Sequence, residues 1–369
     1  MVRTRRVQAL IVAALLLVVG AGISGCGSSS GGGGGSSDKG GTIALLLPET
    51  KTTRYEEQDK PNFERRVHEL CPKCTVIYSN ADQDPAKQQD QAEAAITKGA
   101  KVIVMSAVDV KSAAAIVQRA NAQGVKVIAY GRLIPNAKID DYVSIDPYKV
   151  GQQQARTQMQ ALAAKGKKTP RIVMINGAPT DSNAKPYKDG ALNVYKQQGA
   201  TIVKSYDTPD WSPDKAQQEM EQTVTSLGKT GFDGVYVAND GMATGAVAAL
   251  QGAGVDPGTQ SVTGQDAELT GVQRILAGKQ LVTVYQPIKK IAETSAELAV
   301  PLAQGKTPPA NLTPDKVNNG SKEVPSALLA TTPITKDNVN QTVVKDGFLK
   351  VNDICAGSYA SACKAAGVG

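Results

Sequence analysis

From residue 42 onward the chain alternates short β-branched apolar runs with stretches of helical periodicity, and then repeats that programme. The spacing predicts strands over 42–47, 75–78, 102–105, 125–130 and 142–145, with helices over 55–70, 85–98 and 110–123 between them. In the second of these helices Ala92, Ala95, Ile96 and Ala100 form one face. A second set follows, with strands over 171–175, 201–205, 234–238, 261–264 and 281–285. Its helices span 183–198, 212–227, 242–251 and 268–277, and one more runs over 288–303. The strands are apolar at successive positions, as expected where helices cover both faces of a parallel sheet. Gly99 and Gly124 stand where left-handed residues close helices just before strands. The expected fold class is α/β: two doubly wound parallel-sheet lobes, each with a crevice at the carboxyl ends of its strands.

A length of 369 residues exceeds one core and suits two domains. With 41% hydrophobic and 20% charged residues, disorder over most of the chain and a multi-span membrane protein are both excluded. Three of the basic residues are Arg3, Arg5 and Arg6; without them the balance is 38 basic to 34 acidic, with no basic run. That leaves no nucleic-acid footprint. His68 is the single histidine, which argues against a histidine triad or a multi-histidine metal site.

The three arginines precede an apolar stretch over 9–19, too short to span a bilayer and suited to a signal-peptide core. Ile23-Ser24-Gly25-Cys26 then resembles the lipobox of bacterial lipoproteins, which implies cleavage after residue 25 and a diacylated Cys26 at the mature N-terminus. An ordinary secretory peptide is the simpler alternative. Residues 27–41 are nearly all Gly and Ser, a flexible tether with a reach of roughly 20 Å. Two acyl chains on Cys26 and this tether would hold a body on the outer face of the cell membrane. Cys71 with Cys74, and Cys355 with Cys363, remain as two close pairs in an oxidising compartment, read as structural disulfides. A redox dithiol is the weaker reading of Cys71-Pro-Lys-Cys74, since the pair follows a helix and precedes a strand.

Ligands of wound α/β folds sit at strand ends, and here those ends are polar. Lys51, Arg54 and Tyr55 follow the first strand; Tyr130-Gly131-Arg132 the fourth; Asn176, Asn183 and Lys185 the first strand of the second set. Asn239-Asp240, Gln265-Asp266 and Gln286 follow later ones. Carboxylates, amides and guanidinium groups in this arrangement suit vicinal hydroxyls, and an aromatic plate suits the C–H face of a sugar. Trp211, the only tryptophan, lies in a loop before a helix. Each residue also has a plainer role: Arg132 and Lys185 as rim charges, Asp240 and Asp266 as helix caps, Trp211 as a lid on the core.

These stretches resemble a known family: the type I periplasmic binding proteins of sugar ABC transporters, in particular the D-xylose-binding group. The resemblance runs from about residue 42 to 347. It is carried by Val127-Ile128-Ala129-Tyr130-Gly131-Arg132, Asn183-Ala184-Lys185, Ala238-Asn239-Asp240, Gly264-Gln265-Asp266-Ala267, Val284-Tyr285-Gln286-Pro287 and Val324-Pro325-Ser326. It implies two lobes joined by three crossovers, the first at 42–146 and 287–330, the second at 147–286 and 331–353, with a disulfide-stapled tail at 354–369. It also implies that Arg132, Asn183, Lys185, Asn239, Asp266 and Gln286 bond sugar hydroxyls and that Trp211 stacks on the ring. Lys51, Arg54 and Tyr55 would complete the first-lobe wall. Where the family has an aspartate before the arginine, this chain has Gly131, and Glu49 in the loop after the first strand is the expected substitute carboxylate. Gln286 and Lys188 stand where the xylose branch has lysine and arginine.

The function expected is capture of a monosaccharide, xylose or a related sugar, by a monomeric lipoprotein without catalysis or cofactor. Delivery would be to a membrane permease paired with a cytoplasmic ATPase, since no phosphate-binding Gly-x-x-x-x-Gly-Lys loop occurs here. A sugar sensor feeding a receptor is the alternative. A glycosidase would need a carboxylate pair across a cleft, and Asp82/Asp84 and Asp140/Asp141 are not so placed. A transcription regulator of this shape would need a helix-turn-helix in front of the body.

Overall fold

The computed structural model describes residues 40–369; the stretch read as a signal peptide, Cys26 and all but the end of the segment read as a tether lie outside the described residues. The body from Asp38 on is one compact unit. Its first lobe is built on β1 (Thr42–Leu47), β2 (Thr75–Asn80), β3 (Val102–Met105), β4 (Lys126–Tyr130) and β5 (Asp141–Ile145). These strands pair in parallel in the order β5-β4-β3-β1-β2. β1 and β3 are buried at nearly every position because α1 (Lys60–Leu70), α2 (Pro85–Thr97) and α3 (Ala113–Ala122) supply the covering faces. Asp84 starts α2 by accepting from the amides of Ala86 and Lys87, with Pro85 at the first helical position. The helix expected over 55–70 begins as a π-helical turn, Tyr55–Asp59, before α1 takes over.

The chain leaves this sheet after β5 and enters α4 (Pro147–Ala164), a helix that the sequence reading left out. Its start is capped by Asp146, and its buried face includes Val150, Ala155, Met159 and Leu162. The second lobe follows with β6 (Arg171–Asn176), α5 (Ala184–Gln197), β7 (Thr201–Asp207), α6 (Pro213–Leu227), β8 (Gly234–Val237), α7 (Asp240–Gly252), α8 (Leu269–Leu276) and β9 (Thr283–Tyr285). Its parallel sheet has the order β7-β6-β8. The strand expected over 261–264 is a correction: Ser261 is left-handed at φ 47°, and the run is irregular. It still bonds along both sides, Thr263 N–H to Val235 O and Leu281 N–H to Val262 O, so it fills the place of a strand between β8 and β9.

From β9 the chain returns to the first lobe as α9 (Ile288–Ala303), which lies against α1 and the first sheet. The hairpin β10 (Asp315–Asn318) and β11 (Glu323–Leu329) then extends that sheet beyond β5. A third passage leads to β12 (Thr332–Ile334), antiparallel to β9. These three strands were not read from the sequence. The chain therefore passes between the lobes three times, near residues 146, 286 and 330.

The C-terminal segment adds α10 (Val351–Ile354) and α11 (Ala360–Ala366) and forms its own apolar cluster. Ile334, Val343, Phe348, Ile354 and Cys363 pack there against Val272, Leu276 and Tyr285. Both cysteine pairs are bonded, with Cα atoms 5.3 Å apart for Cys71–Cys74 and 5.7 Å for Cys355–Cys363. Among the described residues no helix is long and apolar enough to cross a membrane.

Candidate functional site

Polar residues follow the ends of the strands that face the space between the lobes, and they converge to line one cavity. The loop after β1 brings Thr52, Arg54 and Tyr55; β3 brings Ser106; β4 brings Tyr130, Gly131 and Arg132. From the second lobe come Asp181, Asn183 and Tyr187 after β6, Trp211 after β7, and Asn239 after β8. Gln265, Asp266 and Gln286 close the wall nearest the crossovers.

The guanidinium groups are held rigidly. Arg54 donates through Nε and a terminal nitrogen to the two oxygens of fully buried Asp59, each at 2.9 Å. Asp59 also accepts from Tyr130 OH. The remaining nitrogen of Arg54 donates to Gln286 Oε1 at 3.2 Å and lies 3.6 Å from Asp266. Gln286 in turn donates to Asp266 Oδ1 at 2.8 Å. Burial would raise the Asp266 carboxyl, and the Arg54 charge works against that. Arg132 donates to the Ala107 carbonyl at 2.7 Å and pairs with Asp181 at 2.8 Å, the two side chains being 4% and 6% exposed. Asp181 also accepts the Asn183 amide at 2.8 Å. Burial pushes the Tyr55 hydroxyl up to about 12, so it stays a neutral donor.

Arg132 and Asp181 belong to opposite lobes, and their ion pair crosses the cleft. Asn183 Nδ2 to Gly131 O at 2.8 Å and Val110 N–H to Thr180 O at 3.1 Å cross it as well. The lobes are thus drawn together around the cavity. Trp211 is buried at its edge in a tight turn, where Asp210 and Trp211 both have positive φ. The indole lies against Gly177, where a Cβ would come within 2.2 Å of the ring. Tyr187 meets it edge-on with centroids 6.4 Å apart.

Of the residues singled out in the sequence, Arg54, Tyr55, Arg132, Asn183, Trp211, Asn239, Asp266 and Gln286 line the cavity. Lys51 and Lys185 do not, and this corrects the expectation. Lys185 is 81% exposed and pairs with Asp189 one turn along α5. Lys51 is exposed, and its amide is tied to Glu49. Glu49 is corrected too: it is buried, its Oε2 accepts the amides of Lys51 and Thr52, and it does not line the cavity. The carboxylate beside Arg132 is Asp181, which sequence reasoning missed together with Ser106 and Tyr187. Ser106 was findable, since it is the first residue past β3. Asn239 also caps α7 by accepting from the Met242 amide at 2.9 Å.

Asp240 turns inward, behind the wall. It accepts from Glu268 N–H at 3.0 Å, Gln280 at 2.7 Å and Thr283 at 2.7 Å, while Arg274 donates to its carbonyl at 2.8 Å. Burial pushes the Asp240 carboxyl up to about 7, with Arg274 opposing. Burial first, and then the charges of Asp240 and Asp266, push Glu268 well above its ordinary range. Asp240 therefore takes up protons on folding near neutral pH, and Glu268 shifts in the same direction. The stabilising contribution of Asp240 is complete below about pH 4, where the unfolded carboxyl is itself protonated, and is lost as pH rises through about 7. Stability in urea is therefore expected to increase from pH 8 to pH 5.5, and Glu268→Gln to flatten that slope. An unchanged slope in the variant would show that Glu268 does not carry it.

A family model described as a periplasmic binding protein domain matches residues 43–307. The D-xylose-binding periplasmic protein of Escherichia coli is 35% identical over 316 residues, 85% of this chain and 92% of that protein. A multiple sugar-binding periplasmic receptor of Rhizobium radiobacter is 33% identical, covering 85% of this chain and 92% of its own length. Among solved structures, a carbohydrate transporter solute-binding protein of Chloroflexus aurantiacus in complex with D-glucose superposes with a TM-score of 0.74 at 27% identity. It covers 84% of this chain and 97% of that one. The chain belongs to the periplasmic binding proteins, in the group that contains the D-xylose-binding proteins.

Proposed function

We propose that this chain is an extracytoplasmic solute-binding lipoprotein that captures a monosaccharide between its lobes and delivers it to the permease of an ABC transporter. The observation that carries the reading is the convergence of Arg54, Arg132, Asp181, Asn239, Asp266 and Gln286 with Trp211 around one cavity. These groups offer charge-assisted hydrogen bonds to vicinal hydroxyls, and the indole offers an apolar plate to the ring. The named ligands of the relatives, D-xylose and D-glucose, have that chemistry. On this reading the lobes at 42–146 with 287–330 and at 147–286 with 331–353 close as units about the three passages, and contacts from both stabilise the closed form.

The test is a titration of residues 38–369 with a panel of pentoses and hexoses, followed by tryptophan fluorescence and calorimetry. With one tryptophan in the chain, a ring-stacking signal belongs to Trp211. A saturable change with a dissociation constant near micromolar, about −8 kcal/mol, is expected for at least one sugar. Heat and fluorescence silent to every monosaccharide would remove sugar from the reading and leave the fold. The anchor has its own check in cell fractionation: the protein is expected with the membranes, and Cys26→Ser in the soluble fraction. Membrane retention of that variant would end the lipid reading.

A further inference from the structure

We propose that the cleft selects a hexopyranose over the pentopyranose of the same ring configuration, seating the extra hydroxymethyl group beside Gly131 and bonding its hydroxyl to Ser106. The inference rests on the cleft being a sugar site. Gly131 follows β4 in the first-lobe wall at φ +70°. Its peptide groups are used by the protein. The N–H donates to Val143 O at 2.8 Å, and the carbonyl accepts from Ser144 Oγ and Asn183 Nδ2, both at 2.8 Å. What this residue offers the cavity is room. Outside its chain neighbours, a Cβ built on Gly131 would find only Ser106 Oγ within 4 Å, at 3.9 Å.

Ser106 is 1% exposed, and its hydroxyl has no hydrogen-bond partner among the described residues. A buried hydroxyl in that state is unfavourable, and a ligand hydroxyl would relieve it. The charged wall groups, by contrast, already have protein partners: Arg54 with Asp59, Arg132 with Asp181 and Ala107, Asp266 with Gln286. They meet ring hydroxyls with the donors and lone pairs left over. The space beside Gly131 is different, a gap of about one carbon bordered by one unpaired hydroxyl. A hydroxymethyl group matches both features. A pentopyranose carries hydrogen at that ring carbon, so it leaves the gap unfilled and Ser106 without a sugar partner.

D-xylose and D-glucose differ only in this group, as do L-arabinose and D-galactose, and 6-deoxy-D-glucose keeps the carbon but loses the hydroxyl. Calorimetry on residues 38–369, a self-contained compact unit, is expected to show at least one hexose binding about tenfold or more tightly than its matched pentose. The 6-deoxy sugar should fall between glucose and xylose. Ser106→Ala should weaken glucose several-fold more than 6-deoxyglucose. Gly131→Asn, a residue that tolerates positive φ, fills the gap and should bring the hexose down to the pentose. Pentoses binding as tightly as their hexoses in both pairs overturn the proposal while leaving the sugar site standing. Failure of every sugar overturns both. Undiminished hexose binding by a folded Gly131→Asn also sinks the proposal. Should that variant misfold, the comparison of sugars on the unaltered chain still decides.

Discussion

Arg132→Ala and Asp181→Ala are each expected to weaken the best sugar by about 30-fold or more, equivalent to about 2 kcal/mol or more. The two groups form a buried ion pair across the cleft, and each single change leaves the other charge buried without its counterpart. Arg132 would keep the Ala107 carbonyl, and Asp181 the Asn183 amide, but neither would keep its charge partner. The closed form suffers most, since an open cleft returns both groups to water. Much of the loss should therefore appear as faster sugar release, read by stopped-flow fluorescence of Trp211. Because the groups act on each other, the double variant should lose less than the two singles combined. Single variants that melt normally and still hold the sugar as tightly as the parent chain would rule out a role for this pair in closure.

Arg54→Ala is expected to lower the free energy of unfolding by about 3–5 kcal/mol, the range for removing one partner of a buried ion pair. Asp59 is fully buried and accepts two hydrogen bonds from this guanidinium, beside the one from Tyr130 OH. Asp266 loses the Arg54 cation 3.6 Å away in the same substitution. Burial is what makes the effect large; Arg65, which pairs with Glu69 and Glu293 on the exposed face of α1, should matter far less. Urea unfolding of Arg54→Ala beside Arg54→Ala/Asp59→Asn checks the cause, because neutralising Asp59 should recover part of the loss. If the single variant unfolds at the same urea concentration as the parent chain, Asp59 is being held by something else.

The local order of this chain is readable without coordinates because its parallel strands are buried on both faces. A run such as Ile43 to Leu47 tolerates no polar interruption, and Asp84-Pro85 sets the start of α2 by local chemistry alone. The run at 261–264 deceived because Val262 and Thr263 are β-branched and buried as in a strand, yet Ser261 turns left-handed and breaks the register. The antiparallel β10 and β12 are short and half exposed, so their pattern carries little signal.

Lys185 shows where sequence adjacency misleads. Asn183 faces the cleft at the head of α5, but each helical residue turns about 100°, so the side chain two positions on points nearly the opposite way, into solvent. Glu49 and Asp181 show the converse. Glu49 is near the wall in sequence but bends back onto the amides of its own turn. Asp181 is 49 positions from Arg132 and meets it only because the second lobe folds over the first.

By itself, then, the sequence determined the α/β order, the polar strand ends, the cysteine pairs and most of the cavity wall. Each of these follows from residues close in the chain or from burial patterns that repeat along it. Tertiary structure alone decided which carboxylate partners Arg132, which lysines face water, and which hydroxyl is left unpaired beside Gly131. Those are distances between lobes, and a pairing across a cleft leaves no periodicity in the chain that makes it.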